Sequence, residues 1–179
     1  MSPIIVSSAT VDDLAELMRL VPSQPFLVPD GQPIFGEKTL EALLRHGMVA
    51  RVAQGPEVLA YWVASPIVLG FNFKITMVLS PKGLRHVLKT PPYAALHFGF
   101  QALQHVMFSI NLPHQHPSNR VAQRLARQCG FVLTGVQHYT GLYQNQPVHS
   151  EFWELTRTAF YANPHHGYQD VKPLEKESS

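Results

Sequence analysis

Residues 119–131, with the sequence Asn-Arg-Val-Ala-Gln-Arg-Leu-Ala-Arg-Gln-Cys-Gly-Phe, constrain the fold more than any other segment of the chain. Apolar residues recur at helical spacing on one stripe, while arginine and glutamine occupy the opposite side, as in a helix that lies on a sheet. Either Ser118 or Asn119 can cap the first turn, and Gly130 can end the last one. Strand-like apolar runs lie directly before and after. The segment therefore predicts a strand–helix–strand unit of an α/β domain.

The N-terminal part of the chain predicts a strand, two helices and then an antiparallel meander. Residues 4–6 indicate a short strand, and Thr10 with an acidic residue three positions later, Asp13, is typical of a helix start. A second helix around Leu40 can end at Gly47. Three further strands are expected at residues 48–53, 58–69 and 71–80.

Composition favours a single domain without a nucleic-acid partner. The chain has 179 residues, of which 45% are hydrophobic, so it can bury one substantial core. Its 14 Lys and Arg against 12 Asp and Glu give a formal net charge of +2, too close to balance to indicate nucleic-acid binding. We expect one domain over residues 1–162. Residues 163–179 lack periodicity and are expected to form a C-terminal surface extension.

The single cysteine and the lack of long apolar runs indicate the compartment. One cysteine excludes an internal disulfide, and the position of Cys129 on the apolar stripe of its helix predicts a small core residue rather than a nucleophile. No apolar run approaches the roughly 20 residues of a spanning helix, and the N-terminus lacks the pattern of a signal peptide. A soluble cytoplasmic protein is therefore expected.

Five positions in the second half carry a resemblance to a known family. Asn119 is followed by the small residue Ala122 three positions later, and Gly130 and Phe131 follow at eleven and twelve positions. Gly135 and a long hairpin that ends in Phe-Trp-Glu-Leu-Thr-Arg come next. This arrangement resembles the C-terminal half of the GNAT acyltransferase superfamily, especially the branch that acetylates ribosomal proteins and its phage-borne relatives. The resemblance implies an α/β (α+β) fold with a mixed, mainly antiparallel sheet, a splayed central parallel strand pair and flanking helices.

The resemblance also implies acetyl-CoA or another acyl-CoA as the cofactor. In the family the pantetheine arm lies in the splay and bonds to the backbone of the first parallel strand, which here corresponds to Met77, Val78 and Leu79. Asn119 matches a helix position that contacts this arm, although a role as helix cap is equally compatible with the sequence.

Residues 80–93 depart from the family at its phosphate loop. GNAT domains hold the pyrophosphate on the amides of a glycine-rich loop that leads into a helix, and this glycine pattern is absent here. Thr90 and Pro91 are expected to cap and begin the next helix, where Pro91 and Pro92 would each remove an amide hydrogen from the first turn. The loop is therefore degenerate, and its basic side chains either bind phosphate directly or only solvate a surface loop. The candidate phosphate-binding residues are Lys82, Gly83, Arg85, Lys89 and Thr90.

The usual proton donors of the family are absent. GNAT enzymes often use a tyrosine seven residues after the helix asparagine or a serine three residues after it, and this chain has Ala126 and Ala122 there. The nearest groups for proton handling are Ser109 and Asn111 on the preceding strand and His114 and His116 in the loop after it, of which Ser109 and His114 are the predicted catalytic residues. The chain contains ten histidines, but their pairs lack acidic or thiol partners at suitable spacing, so no metal site is expected.

Two functions remain open on this sequence. The first is an acyl-CoA-dependent N-acyltransferase that transfers acetyl to an amine of a small molecule or a protein, in a pocket that mainly aligns thioester and amine. The second is a catalytically degenerate GNAT-fold protein, of phage origin, that binds a protein partner or has a structural role. The missing glycine loop and proton donors favour the second function, whereas the activity of the family as a whole favours the first. Neither function involves a membrane.

Overall fold

The computed structural model describes residues 3–23, 35–68, 71–87, 89–90, 92–102, 107–113, 119–143 and 146–169. Within these residues the chain forms seven strands, which are β1 (Ile4–Ser8), β2 (Val49–Gln54), β3 (Glu57–Val68), β4 (Asn72–Leu79), β5 (Met107–Pro113), β6 (Val132–Tyr143) and β7 (Gln146–Thr156). The same residues form six α-helices, which are α1 (Leu14–Leu20), α2 (Glu37–Arg45), α3 (Pro81–Val87), α4 (Tyr93–Ala102), α5 (Asn119–Gln128) and α6 (Arg157–Ala162).

The seven strands form one sheet in the order β1-β2-β3-β4-β5-β7-β6. Neighbouring strands are antiparallel except β4 and β5, which are parallel and lie in the middle of the sheet. The chain between β4 and β5 contains α3 and α4, because a parallel pair needs a long crossover connection. The predicted fold class, a mainly antiparallel mixed sheet with a central parallel pair and flanking helices, is confirmed.

Each face of the sheet has its own hydrophobic core. On one face, called here the α1–α2 face, Leu17 of α1 packs with Tyr61 and Val78 of the sheet. On the other, called here the α4 face, Leu96 of α4 and Phe160 of α6 are fully buried together with the end of α5. The parallel pair contributes Phe73, Ile75 and Phe108 to the core of the α4 face and Val78 to that of the α1–α2 face.

Helix α3 was not predicted, and it occupies part of the segment expected to be a phosphate loop. Ser80 caps it, since its Oγ accepts a hydrogen bond from the Gly83 N–H at 3.0 Å, and Pro81 is its first residue. Serine followed by proline is a regular helix-start signal, and the signal was present in the sequence. Gly83 lets α3 approach β3 closely, because a Cβ at this position would lie 1.7 Å from the carbonyl oxygen of Leu59.

Helix α4 begins later than the sequence predicted. Thr90 was expected to cap it, but the first helical residue is Tyr93. The carbonyl oxygen of Pro92 accepts the first intrahelical bond, from the Leu96 N–H at 3.2 Å. Pro92 thus precedes the first turn, and so does Pro91 in the sequence. Neither proline removes an amide hydrogen from that turn, contrary to our expectation.

The chain after α6 packs against the domain as far as residue 169. Pro164–His166 forms a 3-10 turn whose His166 is 4% exposed and lies 4.5 Å from the ring of Tyr93. Tyr168 stacks on His97 of α4, with ring centroids 4.4 Å apart. This part of the segment expected to be a surface extension therefore covers α4. The domain boundary at residue 162 stays a prediction, and residues 170–179 lie outside the described residues.

Among the helices of the described ranges, none combines the length and the apolar character that crossing a membrane requires.

Candidate active site

The parallel strands β4 and β5 are joined over three residue pairs and then part. The pairs are Asn72 with Met107, Phe73 with Phe108, and Lys74 with Ser109. Beyond them, residues 75–79 of β4 and 110–113 of β5 continue as strand, but they have no register partner on each other. The five unpaired residues of β4 span roughly 16 Å at the usual rise of a strand. We call this gap the β4–β5 slot, with a closed end at Lys74 and Ser109.

The backbone of β4 alternates between its two neighbours, which decides the groups that face the slot. The Met107 N–H donates to the Phe71 carbonyl oxygen at 3.1 Å, so the polar groups of Phe71 point towards β5. The Ser80 N–H donates to the Leu59 carbonyl oxygen at 2.9 Å, so those of Ser80 point towards β3. Because direction alternates along a strand, the backbone N–H and C=O of Met77 point into the slot.

The three predicted cofactor-binding residues of β4 therefore differ in orientation. The backbone of Val78 points towards β3, where Val78 pairs with Tyr61, and its side chain is fully buried on the α1–α2 face. Leu79 lies on the same backbone edge as Met77. The prediction named all three residues equally, because the direction of a strand's polar groups depends on its partners and not on the sequence alone.

Buried side chains hold the closed end of the slot together. Phe73 and Phe108 are each 1% exposed, and they occupy the central pair of the joined segment. The Ser109 hydroxyl donates to the Asn72 Oδ1 at 2.8 Å, and both residues are buried. A serine has one hydrogen to donate, and here it joins the two strands. Ser109 thus has a structural contact that the sequence did not reveal, and its predicted role in proton handling stays a prediction.

Two of the predicted phosphate-binding residues make contacts with the rest of the domain. Lys82 forms an ion pair with Glu57 at the start of β3. The amide hydrogen of Gly83 is bound to Ser80 and its missing side chain makes room for Leu59, so this glycine serves packing. A phosphate would have to displace one or both contacts to bind at these residues.

The other predicted phosphate-binding residues lie between α3 and α4. The backbone N–H groups of Lys89 and Thr90 both donate to the carbonyl oxygen of His86, at 2.9 and 3.0 Å. Their amide hydrogens are therefore used within the end of α3. The side chains of Arg85 and Lys89 are exposed, so they are the cations of this segment that can reach an incoming anion.

Helix α5 spans Asn119–Gln128, within the segment that the sequence predicted to be helical, and its last turn joins the domain. Ala126 is 3% exposed within the α4-face core, so the position at which the family often has a tyrosine holds a buried methyl group. Gly130 has a φ of 87°, in the left-handed region expected for a residue that ends a helix. The side chain of Asn119 and all of His114 lie outside the described residues.

The buried carboxylate of Glu151 was missed by the sequence interpretation. It is 6% exposed on β7, opposite Leu112 of β5. Gln123 of α5 donates to both of its oxygens at 2.8 Å, and the indole N–H of Trp153 donates at 3.1 Å. Glu151 alternates with the buried Trp153 along β7, and this spacing could have predicted that the Glu151 side chain is buried. The carboxylate anchors α5 to β7 at the outer side of the slot.

Cys129 is a core residue, as predicted. It is 3% exposed within the α4-face core, and burial raises the pKa of its thiol to about 12. A thiol that remains protonated at neutral pH is a poor nucleophile. The described part of the chain contains no group of three or more His, Cys, Asp or Glu side chains placed to hold a metal ion.

Solved structures of acetyltransferases share this architecture. An acetyltransferase of the GNAT family from Bacillus anthracis matches with a TM-score of 0.64 at 12% identity, over 86% of this chain and 94% of its own. A spermidine N-acetyltransferase from Vibrio cholerae, in complex with CoA and spermine, matches at 0.70 and 13%, over 88% and 97%. A putative acetyltransferase from Salmonella typhimurium with its cofactor acetyl-CoA matches at 0.68 and 13%, over 86% and 93%. No protein-family model and no curated sequence matches the chain. At such identities the likeness shows the fold: this chain has the GNAT fold.

Proposed function

We propose that this protein is an acyl-CoA-dependent N-acyltransferase that transfers an acyl group, acetyl in the first instance, to an amine. The observation that carries the proposal is the slot itself, in which the backbone N–H and C=O of Met77 face a gap and no strand. Buried backbone polar groups are nearly always paired, so an edge of this kind in the middle of a sheet favours a ligand that supplies the missing partners. The amide groups of a pantetheine arm have that chemistry.

The phosphates of the cofactor would lie at the open end of the slot, after β4. The exposed side chains of Arg85 and Lys89 supply positive charge there. Asn119, at the first turn of α5, lies on the β5 side of the same end. Lys82 and Gly83 have a smaller part in this proposal, because both already have partners within the domain.

Alignment of thioester and amine supplies most of the catalysis in this proposal. Holding two reactants together in the correct orientation can account for about 7–11 kcal/mol of a barrier without a strong acid or base. Ser109 and His114 are the proposed proton-handling groups, and neither family-type donor is present at Ala122 or Ala126. The acceptor is an amine of a small molecule or a protein in the cytoplasm. The spermine in the Vibrio cholerae complex makes polyamines the first acceptors to test.

A second candidate function is a GNAT-fold protein that has lost its cofactor and binds a protein partner, in line with a phage-borne origin. The contacts of Lys82 with Glu57 and of Gly83 with Ser80 favour it, because they occupy groups that a phosphate loop would leave free. The buried methyl group of Ala126, in place of a proton donor, points the same way.

Thermal unfolding with and without acetyl-CoA separates the two functions. A ligand at about 100 times its Kd stabilises the folded state by roughly 2.7 kcal/mol, so the unfolding temperature should rise with the concentration of acetyl-CoA. Lys89→Glu should weaken this stabilisation. Lys38→Glu, the same charge change on exposed α2, should leave it unchanged. Absence of stabilisation by any acyl-CoA would remove the enzyme proposal, and a stable cofactor-independent complex with a protein partner would then support the second function.

A further inference from the structure

Lys74 lies at the closed end of the slot, as the last residue of β4 that pairs with β5. Its side chain is on the α1–α2 face, because it alternates with Phe73 and Ile75 of the α4-face core and shares its side of the strand with Val78. The side chain is half-buried. The pair Asn72 and Ser109, which hydrogen-bond to each other, are its polar neighbours in the register of the sheet.

The amine of Lys74 is a desolvated cation without an acidic partner in the part of the chain that the structure describes. By contrast, Lys82 is paired with Glu57 and Lys38 is exposed on α2. Burial alone lowers the pKa of Lys74, since no carboxylate offsets the loss of water. A larger fraction of its amine is therefore neutral, and hence nucleophilic, than for a lysine in water.

The direction in which acyl-CoA would enter the slot determines which part of the cofactor lies beside Lys74. In the proposed function the phosphates lie at the open end, after β4, and the arm runs along Met77 towards the paired residues. The thioester at the far end of the arm is thereby brought to the closed end. An amine held beside a thioester reacts as though it were present at very high concentration.

We propose that Lys74 is a self-acylation site, which takes the acyl group from acyl-CoA bound in the slot. The Nζ attacks the thioester carbonyl carbon, a C–N bond forms and the C–S bond breaks. The thiolate that leaves takes up the proton lost by the nitrogen, so the products are an acylated lysine and free CoA thiol. Because an amide is stable, the reaction stops at one acyl group per chain and places an uncharged, bulkier side chain at the closed end. This inference rests on the proposed function, since it requires acyl-CoA in the slot.

Intact-mass and peptide mass spectrometry after incubation with acetyl-CoA tests the transfer. One acetyl group should appear per chain, and it should map to Lys74 at a rate at least about tenfold above that of Lys38, because only Lys74 is held beside the thioester. Lys74→Arg should abolish the adduct while stabilisation by acetyl-CoA persists, and Lys38→Arg should leave the adduct unchanged. Equal labelling of Lys38 and Lys74, or none at Lys74 in a protein that acetyl-CoA stabilises, overturns the inference and leaves the proposed function intact.

A second measurement needs no transfer step. Trace acetic anhydride labels accessible amines of the protein alone, and CoA without an acyl group should slow the labelling of Lys74 at least about tenfold at 100 times its Kd, because the bound fraction is then close to one. Labelling of Lys38 should not change. If CoA stabilises the protein but does not protect Lys74, the cofactor ends elsewhere and the inference is wrong. If CoA does not stabilise the protein at all, the proposed function fails and the inference fails with it.

Discussion

The two edges of strand β4 differ in how much of their length is paired. On the β3 edge, pairs extend from Asn72 to Leu79, the whole strand. On the β5 edge, pairing stops after Lys74. The same eight residues form both edges, so the composition of β4 cannot explain the difference. The difference lies on the side of β5, which pairs with β7 along its full length but with β4 over only three residues.

This difference divides the sheet into two parts with separate roles. Strands β1 to β4 form one continuous antiparallel part, and β5, β7 and β6 form another. Three residue pairs and the side chains around them join the two. The β3 edge of β4 therefore contributes to stability along its whole length, whereas the β5 edge contributes only at its closed end.

The largest expected effect is at the closed end. Phe108→Ala should lower the free energy of unfolding by about 4 kcal/mol, because it removes a fully buried ring that lies 4.4 Å from the ring of Phe100. Ile110→Ala, two residues further into the slot and only partly buried, should cost less than about half as much. Urea unfolding measures both. Equal losses would show that the junction of the two parts is not concentrated at the closed end.

A smaller effect is expected where α3 packs against β3, on the fully paired side. Gly83→Ala should destabilise by about 3 kcal/mol, because the new Cβ would meet the Leu59 carbonyl oxygen and force α3 away from the strand. In an unobstructed helix the same change would instead stabilise by roughly 1 kcal/mol, so the sign is diagnostic. Gly135→Ala, with no atom within 4 Å of the added Cβ, is the matched control and should change stability by less than about 0.5 kcal/mol. A neutral Gly83→Ala would contradict the close contact.

The smallest expected effect is a difference in hydrogen exchange between two neighbouring amides of β4. The Val78 N–H points towards β3 and the Met77 N–H points into the slot, so Val78 should exchange at least about tenfold more slowly in the free protein, a difference of roughly 1.4 kcal/mol in opening free energy. Hydrogen exchange followed by NMR resolves the two positions. Acetyl-CoA should slow Met77 more than Val78. Equal exchange rates without ligand would mean that the two edges of β4 do not differ as described.

The sequence predicted the fold well because its signals are local. Alternating apolar residues located the strands, and the helix that ends at Gly130 was predicted to within a residue or two. Helix α3 was not predicted although Ser80 and Pro81 signalled its start, because the family resemblance indicated a phosphate loop there. The late start of α4 at Tyr93 reflects the limited precision with which helix ends follow from sequence.

The details of the candidate site were less predictable because they depend on tertiary contacts. Met77 faces the slot and Val78 does not. This difference depends on the strands that flank β4. The tight approach of Gly83 to Leu59 is a contact between residues far apart in sequence. The desolvation of Lys74 likewise depends on its neighbours across the sheet, and no local pattern distinguishes this lysine from the others.

The position of β7 affects how the molecule can assemble during translation. Of the seven described strands β7 is the last to leave the ribosome, yet it lies between β5 and β6, which are made earlier. The meander of β1 to β4 can form as soon as it emerges, since each of its strands pairs with the one before it. β6 pairs only with β7 among the described strands, and β5 has only its three pairs with β4 until β7 is made. Chains truncated before β7 would thus expose β6 and most of the length of β5 without a partner strand, a state prone to aggregation.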